Sequence, residues 1–293
     1  MSSTEEEEEC ASDDSDDCFK DVELQVMKES IQGKAKNTIS AYVRAYTQLR
    51  RALNKEVHLA SQDLIIKTSE SLSQNLNTRA QLINMGIIMR KLYNVDVKEL
   101  ETQRKNNKKG IAVHTKDLNQ KLNSTLPTLA EFDEHLDYLN EKEMHSEFII
   151  NWMIRNLCVR NQDLVFTLVR KKADVKKDQH NYVWLGRGKA MFYRRDYKTD
   201  KTYGEKINEL KDKRLLNALG KATFPIIANP ANVGYYVKKS SFRELGETLL
   251  VKVVVNDARE RGDLNELNRI SKDRGTDLCT IATSYNIQPA HSK

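Results

Sequence analysis

Apolar residues recur at helical spacing through the first third of the chain. One run follows Asn37 and Thr38, two candidate N-caps, and contains Ile39, Tyr42, Val43, Tyr46, Leu49 and Leu53. A second run occupies residues 78–93 and contains Leu82, Ile83, Ile87, Ile88 and Leu92. Because apolar side chains three or four positions apart share one helix face, both runs predict amphipathic helices. We expect residues 20–102 to form a helical domain.

A second helical region begins near residue 126. Pro127 and Thr128 come just before three acidic residues, an order typical of a helix N-terminus. The apolar stretch at 147–157 predicts a buried helix, and later stretches predict helices at 242–261 and 264–271. Thr276 is a good N-cap and predicts the start of a last helix. We expect residues 126–293 to form the second domain.

The hydrophobic period changes after the buried helix. Residues 182–185 and 190–193 are rich in aromatic and β-branched side chains, and Gly186-Arg187-Gly188 lies between them. This pattern predicts a β-hairpin, and residues 203–207 predict a third short strand. The predicted fold class is therefore mainly α with a small antiparallel β-sheet.

Two segments lack a hydrophobic period. Residues 103–110 read QRKNNKKG, which favours a basic linker over residues 103–125. Residues 1–19 are rich in Glu, Asp and Ser and have almost nothing to bury, so we expect a disordered acidic tail.

The net charge of +6 conceals an uneven distribution. Residues 1–17 hold nine of the 42 acidic residues and none of the 48 basic ones, so the remainder carries +15. A body this basic suits a polyanionic partner such as nucleic acid. An ordinary solvated surface explains the same composition about as well.

Several classes of protein are disfavoured. Cys10, Cys18, Cys158 and Cys279 lack metal-ligand spacing, which favours reduced thiols in an intracellular compartment. The acidic N-terminus does not resemble a signal peptide. No apolar run approaches the roughly 18 residues of a membrane span, so no membrane partner is expected.

Two basic positions could act on a phosphate. Arg160 follows the apolar helix and precedes Asp163; its planar donors could grip phosphate oxygens, or it could form a structural ion pair with Asp163. Lys198 lies in the turn after the second strand and could protonate a leaving oxygen, with Lys201 as the alternative candidate. A solvated turn lysine is the competing interpretation.

Two further positions complete the set. Arg243 is expected at a helix start, where backbone N–H groups favour anions, although it could be another surface arginine. Tyr285 is expected near the C-terminus of the last helix, where its hydroxyl could attack a phosphate. Considered alone, Tyr285 would be interpreted as a core tyrosine.

The order of these residues resembles the tyrosine recombinase (phage integrase) superfamily. RNQDL looks like its Arg-x-x-Glu/Asp-Leu motif, YKT like the Lys-Thr of its β-hairpin, and RGTDLCTIATSY like the segment before its nucleophile. NTISAYVRAYTQLRRAL is similar to the DNA-facing helix of its core-binding domain. The resemblance covers about residues 20–290, and the variant motifs look most like copies carried by large DNA viruses.

Two positions depart from the family pattern. Ser240 stands where the family's His-x-x-Arg has histidine, and Thr276, nine residues before Tyr285, replaces the usual His or Trp. Ser240 and Thr276 could still hydrogen-bond a phosphate oxygen. Loss of one general acid–base group usually costs about 10²–10⁴-fold in rate.

The resemblance implies a two-domain clamp on double-stranded DNA, assembled as a multimer, without metal or cofactor. Arg160 and Arg243 would bind the scissile phosphate, Lys198 would protonate the leaving oxygen, and Tyr285 would form a 3′-phosphotyrosyl link. Asp163, Ser240 and Thr276 would support them. The expected contacts to the DNA backbone are Arg44, Arg50, Arg51, Arg104, Lys105, Lys108 and Lys109.

The function implied is a site-specific recombinase or integrase. Three alternatives remain open: a DNA-binding protein of this fold that does not cut, a type IB topoisomerase-like enzyme, and a structural helical protein.

Overall fold

The computed structural model describes residues 21–34, 36–123 and 125–285. The chain divides into two compact units between His114 and Thr115, and each unit is described by itself. The predicted acidic tail at 1–19 lies outside the described residues. Within the three described ranges, no helix combines the length and the apolar character needed to cross a membrane.

Unit 1 is helical. Its helices are α1 (Val22–Ser30), α2 (Lys36–Leu53), α3 (Gln62–Leu72), α4 (Leu76–Leu92) and most of α5 (Lys98–Asn123). Helices α2 and α4 confirm the two predicted amphipathic runs, and Tyr46, Leu49 and Leu82 lie in the core. Asn75 caps α4 by accepting hydrogen bonds from two backbone N–H groups of its first turn.

The prediction of a linker at 103–110 is wrong at the level of secondary structure. The segment lies inside α5, a continuous helix of 26 residues. Lys, Arg and Gln are good helix formers, so a helix needs no apolar stripe at every turn. Gly110 leaves room for a neighbouring helix, because a Cβ there would come within 3.3 Å of Leu76 Cδ1. Lack of hydrophobic period was therefore not a sign of irregular backbone.

Unit 2 packs helices against a four-stranded sheet. Its helices are α6 (Leu129–Glu141), α7 (His145–Leu157), α8 (Asp200–Tyr203), α9 (Lys213–Lys221), α10 (Val233–Ser240), α11 (Glu247–Glu260), α12 (Leu264–Arg274) and α13 (Leu278–Ser284). Its strands are β1 (Phe166–Val169), β2 (Asn181–Leu185), β3 (Ala190–Arg194) and β4 (Lys206–Leu210). Thr128 and Glu131 form a capping box on α6, as expected from its predicted start.

The sheet is mixed, which corrects the prediction of an antiparallel sheet. Strands β2 and β3 form the predicted hairpin, and β4 pairs antiparallel with β3. Strand β1, which the sequence pattern did not reveal, pairs parallel with β2. The chain between Arg170 and His180 has to return to the starting end of β1, and that return makes the pair parallel. Strand β4 begins three residues later than the predicted third strand.

Helix α7 forms the centre of the core of unit 2. Phe148, Ile149, Met153 and Ile154 are fully buried along it, and α11 packs against it. The helix ends at Cys158, whose φ of 48° is in the left-handed region. This termination turns the chain sharply and delivers Arg160 at the edge of the core.

Candidate active site

A buried carboxylate shapes the turn that carries Arg160. Asp163 is 1% exposed and accepts a 3.0 Å hydrogen bond from the Arg160 backbone N–H. Its Oδ2 also accepts from Nη1 of Arg194, at 3.3 Å. Burial raises the pKa of Asp163, and the positive charge of Arg194 opposes that rise. The contact between Arg160 and Asp163 that the sequence suggested is therefore made by the backbone N–H of Arg160.

The Arg160 guanidinium faces the loop between α12 and α13. Nη1 donates to the Arg274 carbonyl at 2.6 Å, and Nη2 donates to Oγ1 of Thr276 at 2.9 Å. These bonds use two of the five N–H donors of a guanidinium. The other donors have no acceptor among the described residues. Burial and the nearby charge of Arg274 lower the pKa of Arg160. An anion bound beside these two arginines would therefore be stabilised by their positive charge.

Arg274, which the sequence interpretation did not single out, contacts Tyr285. It is 3% exposed, and its Nε donates to the Tyr285 hydroxyl at 2.8 Å. The guanidinium carbon lies 4.7 Å from the centroid of the tyrosine ring. Nη1 donates to the Cys158 carbonyl at 2.9 Å, and Nη2 pairs with Glu247. Burial alone would lower the pKa of Arg274, but Glu247 and Tyr285 raise it overall.

Tyr285 is the C-cap of α13 and is half-buried. Helix α13 confirms the predicted last helix, but its N-cap is Asp277, whose carboxylate accepts from the Thr280 N–H at 2.8 Å. Thr276 is therefore not the cap that was predicted. Its hydroxyl instead accepts from Arg160, which ties the predicted arginine to the segment that carries the tyrosine.

Lys206, at the start of β4, was also missed. Its ammonium lies 5.0 Å from the ring centroid of Tyr197 and 5.3 Å from that of Tyr203. It donates to the Asp273 carbonyl at 3.2 Å and to the Lys272 carbonyl at the end of α12. Burial, with repulsion from Arg194, lowers the pKa of Lys206 to about 8.

Gly275 places Lys206 beside the residues that hold Arg160 and Tyr285. A Cβ at Gly275 would lie 2.9 Å from the Lys206 ammonium and 2.6 Å from Thr199 Oγ1. The glycine also has a φ of 60°, which other residues seldom adopt. Because Gly275 follows Arg274 directly, this close approach brings Lys206 next to the arginine that contacts Tyr285.

The two lysines proposed from sequence have exposed side chains, although Lys198 lies between Tyr197 and Thr199, which contact Lys206 and Gly275. Lys198 is exposed in the turn before α8 and its side chain has no hydrogen bond or ion pair with the part of the chain that the structure describes. The side chain of Lys201 is exposed too. In the described conformation, the Lys206 side chain bonds to the end of α12, just before the loop that leads to α13 and Tyr285.

Arg243 and Ser240 are not among the residues that contact Tyr285. Arg243 lies in a 3₁₀ turn with φ 51°, four residues before α11, and not at a helix start as predicted. Its Nη2 donates to Glu131 at 2.6 Å, and half of the side chain is exposed. Ser240 ends α10, where its carbonyl accepts from Asn151 at 2.8 Å.

The cations proposed as DNA contacts in unit 1 lie on two helices. On α2, Arg44 and Arg51 are exposed and Arg50 is partly buried. On α5, Lys105, Lys108 and Lys109 are exposed, whereas Arg104 is partly buried with Nη1 3.5 Å from Oδ1 of Asn84.

We call the residues joined by these contacts the Tyr285 cluster. It comprises Tyr285, the cations Arg160, Arg194, Lys206 and Arg274, and the carboxylates Asp163, Glu247 and Asp273. Four cations face three carboxylates, so the cluster carries excess positive charge beside the Tyr285 hydroxyl. Such a site can bind a phosphate, stabilise charge on the attacking oxygen and supply a proton to a leaving group.

Comparisons with known proteins add little to this geometry. No family model matches the chain, and no curated protein matches its sequence. Among solved structures the chain is similar to a protein described as XerA recombinase, with 12% identity over 91% of this chain and 94% of the other. The TM-score is 0.36, so this likeness carries no functional assignment.

Proposed function

We propose that this protein breaks and rejoins DNA strands by the chemistry of tyrosine recombinases, with Tyr285 as the nucleophile. The observation that carries the proposal is the 2.8 Å hydrogen bond from Arg274 Nε to the Tyr285 hydroxyl. This donor favours negative charge on the attacking oxygen. Arg160, which is joined to the same loop, has unused donors for the phosphate.

The first transesterification uses three groups of the cluster. Arg160 binds non-bridging oxygens of the scissile phosphate, whose negative charge it offsets. The Tyr285 oxygen bonds to phosphorus as its own proton passes to solvent, which gives a 3′-phosphotyrosyl link. Lys206 supplies a proton to the departing 5′ oxygen, and its pKa of about 8 suits that transfer near neutral pH. A 5′ hydroxyl of another strand then reverses the step.

The remaining predicted residues have supporting roles in the proposal. Thr276 orients Arg160 through its hydroxyl, and Asp163 fixes the turn that carries Arg160. Arg243 would join the phosphate clamp only after releasing Glu131. Lys198 and Ser240 would need to move before they could reach the scissile phosphate. The exposed cations of α2 and α5 would contact the DNA backbone, and strand exchange would need several protomers.

The proposal is tested by trapping the covalent intermediate. The substrate is a pool of random-sequence duplexes that carry a 5′ label and a nick. After attack close to the nick, the short strand diffuses away and the labelled strand stays on the protein. The wild type is expected to retain label after denaturation, and Tyr285→Phe is expected to retain none. Tyr235→Phe, which changes an exposed tyrosine of the same unit, is the matched control.

A DNA-binding protein that does not cut is the second candidate. It is favoured by the histidines, because none of the five among the described residues hydrogen-bonds to Tyr285 or Arg160. His180, for example, is 2.9 Å from Thr167 on the sheet. Salt-dependent DNA binding without any adduct from the wild type would favour this candidate over the enzyme.

A further inference from the structure

The sheet of unit 2 gathers basic residues at the end away from the Tyr285 cluster. Val169 pairs with Trp184 at the ends of β1 and β2, and Leu210 of β4 pairs with Ala190 of β3. The segments beyond these positions therefore meet at one end of the sheet. We call their cations the basic sheet end: Arg170, Lys171, Lys172, Arg187, Lys189 and Lys211.

Few carboxylates neutralise the basic sheet end. Glu209 lies 3.3 Å from the Lys189 ammonium and 2.8 Å from that of Lys211. Lys171 and Arg187 are exposed and have no ion pair with any residue in 21–34, 36–123 or 125–285. The end thus carries uncompensated positive charge on exposed side chains.

An aromatic ring lies among these cations. Trp184 is partly exposed, and the Lys172 ammonium is 5.9 Å from its ring. A Cβ at Gly186 would come within 3.0 Å of Trp184 Cζ2, so the glycine leaves the edge of the ring uncovered. Spread cations around a partly exposed ring suit an extended polyanion such as a phosphate backbone, because they offer no enclosed pocket for a small anion.

We propose that the basic sheet end binds the phosphate backbone of duplex DNA some distance from the phosphate that Tyr285 attacks. A five-residue strand spans about 17 Å. Along the axis of a duplex each strand carries one phosphate every 3.4 Å or so, so the contact would lie about five base pairs away. Which phosphate is attacked rests on the proposed function. The binding of DNA by this surface does not.

The test compares two triple variants in the Tyr285→Phe background. This background lacks the proposed nucleophile, so cleavage cannot affect the measured affinity. One carries Lys171→Gln, Lys172→Gln and Arg187→Gln. The control carries Lys142→Gln, Lys239→Gln and Arg261→Gln, which remove the same charge from exposed positions at or near helix ends of unit 2. Affinity for a fluorescent duplex is measured by anisotropy across a salt series, and thermal unfolding verifies that both variants fold.

Each neutralised phosphate contact changes the slope of log affinity against log salt by about 0.9. The sheet-end variant is expected to lower that slope by about 2 to 3, and the control by less than about 1. Equal slopes for the two variants would overturn the proposal. So would loss of binding to phosphatidylserine vesicles with an unchanged DNA slope. If wild type forms no adduct but the slopes differ as expected, the proposed chemistry fails and the DNA surface stands.

Discussion

The two ends of the four-stranded sheet use positive charge in opposite ways. At the Tyr285 end, Arg194 is fully buried against Asp163, and Arg274 is buried against Glu247. At the basic sheet end, Lys171 and Arg187 are exposed and unpaired within the described ranges. Cations are therefore held by buried ion pairs at one end of the sheet, whereas the other end includes exposed cations without an ion pair to any described residue.

This difference follows from the cost of desolvating charge. A buried cation has to be paired and hydrogen-bonded, so its position is defined within a narrow range. An exposed cation keeps its hydration and acts through long-range, salt-sensitive attraction. The Tyr285 end can thus position a reacting group, whereas the basic sheet end can hold a backbone without fixing its register.

Removal of the Lys206 amine, at the Tyr285 end of the sheet, should have the largest effect on the rate of adduct formation. In Lys206→Met the proposed proton donor is lost while most of the buried volume is kept. The rate of adduct formation in a single turnover should fall by about 10²–10⁴-fold. Lys198→Met is the matched control, because Lys198 is exposed and its side chain has no hydrogen bond or ion pair with the described residues of the cluster. A larger loss in Lys198→Met would assign the donor to Lys198 instead.

Breaking a buried ion pair should have the next largest effect, on stability. Asp163→Ala leaves the buried Arg194 with only the more distant Asp273, at 3.9 Å, as a carboxylate partner, and the loss of one partner of a buried pair costs about 3–5 kcal/mol. Urea unfolding followed by circular dichroism measures the change. Asp174→Ala, at an exposed position in the same unit, should change the free energy of unfolding by less than about 0.5 kcal/mol. Similar losses in both variants would contradict the claimed contrast between buried and exposed charges.

The pH dependence of adduct formation tests the role of the partly buried Lys206 at the Tyr285 end of the sheet. Burial lowers the pKa of Lys206 to about 8, so its ammonium loses the proton as pH rises through that value. The rate of adduct formation should fall by roughly tenfold per pH unit above the pKa, because only the protonated form can donate. Lys206→Arg keeps its proton and should react slowly with a flat profile over this range. A wild-type rate that stays constant up to about pH 10, well above that pKa, would show that Lys206 is not the donor.

Local pattern was enough to predict several elements. The helical period of residues 78–93 corresponds to α4, and the turn Gly186-Arg187-Gly188 joins β2 to β3. The start of α6 at Thr128 follows from its capping box. These features depend on neighbours within about four residues, which a single sequence displays.

The composition of the site depended on contacts that a single sequence does not display. Arg274 is the first residue of the RGTDLCTIATSY segment, yet its contact with Glu247 spans 27 positions. Lys206 reaches the end of α12 across 66 residues. Strand β1 pairs with a strand that begins 15 residues later. The sequence contained one sign that Arg274 could be important. It is a basic residue at the end of a helix, and the residue that follows it is glycine.

The most direct test of the central claim is to identify the residue that carries DNA. After the nicked-substrate reaction, nuclease and trypsin should leave a peptide that spans residues 275–293 and contains a single tyrosine, Tyr285. We predict that mass spectrometry will find a nucleotide 3′-phosphate on that tyrosine. A nucleotide on any other residue, or none on the wild type while DNA is bound, would contradict the account.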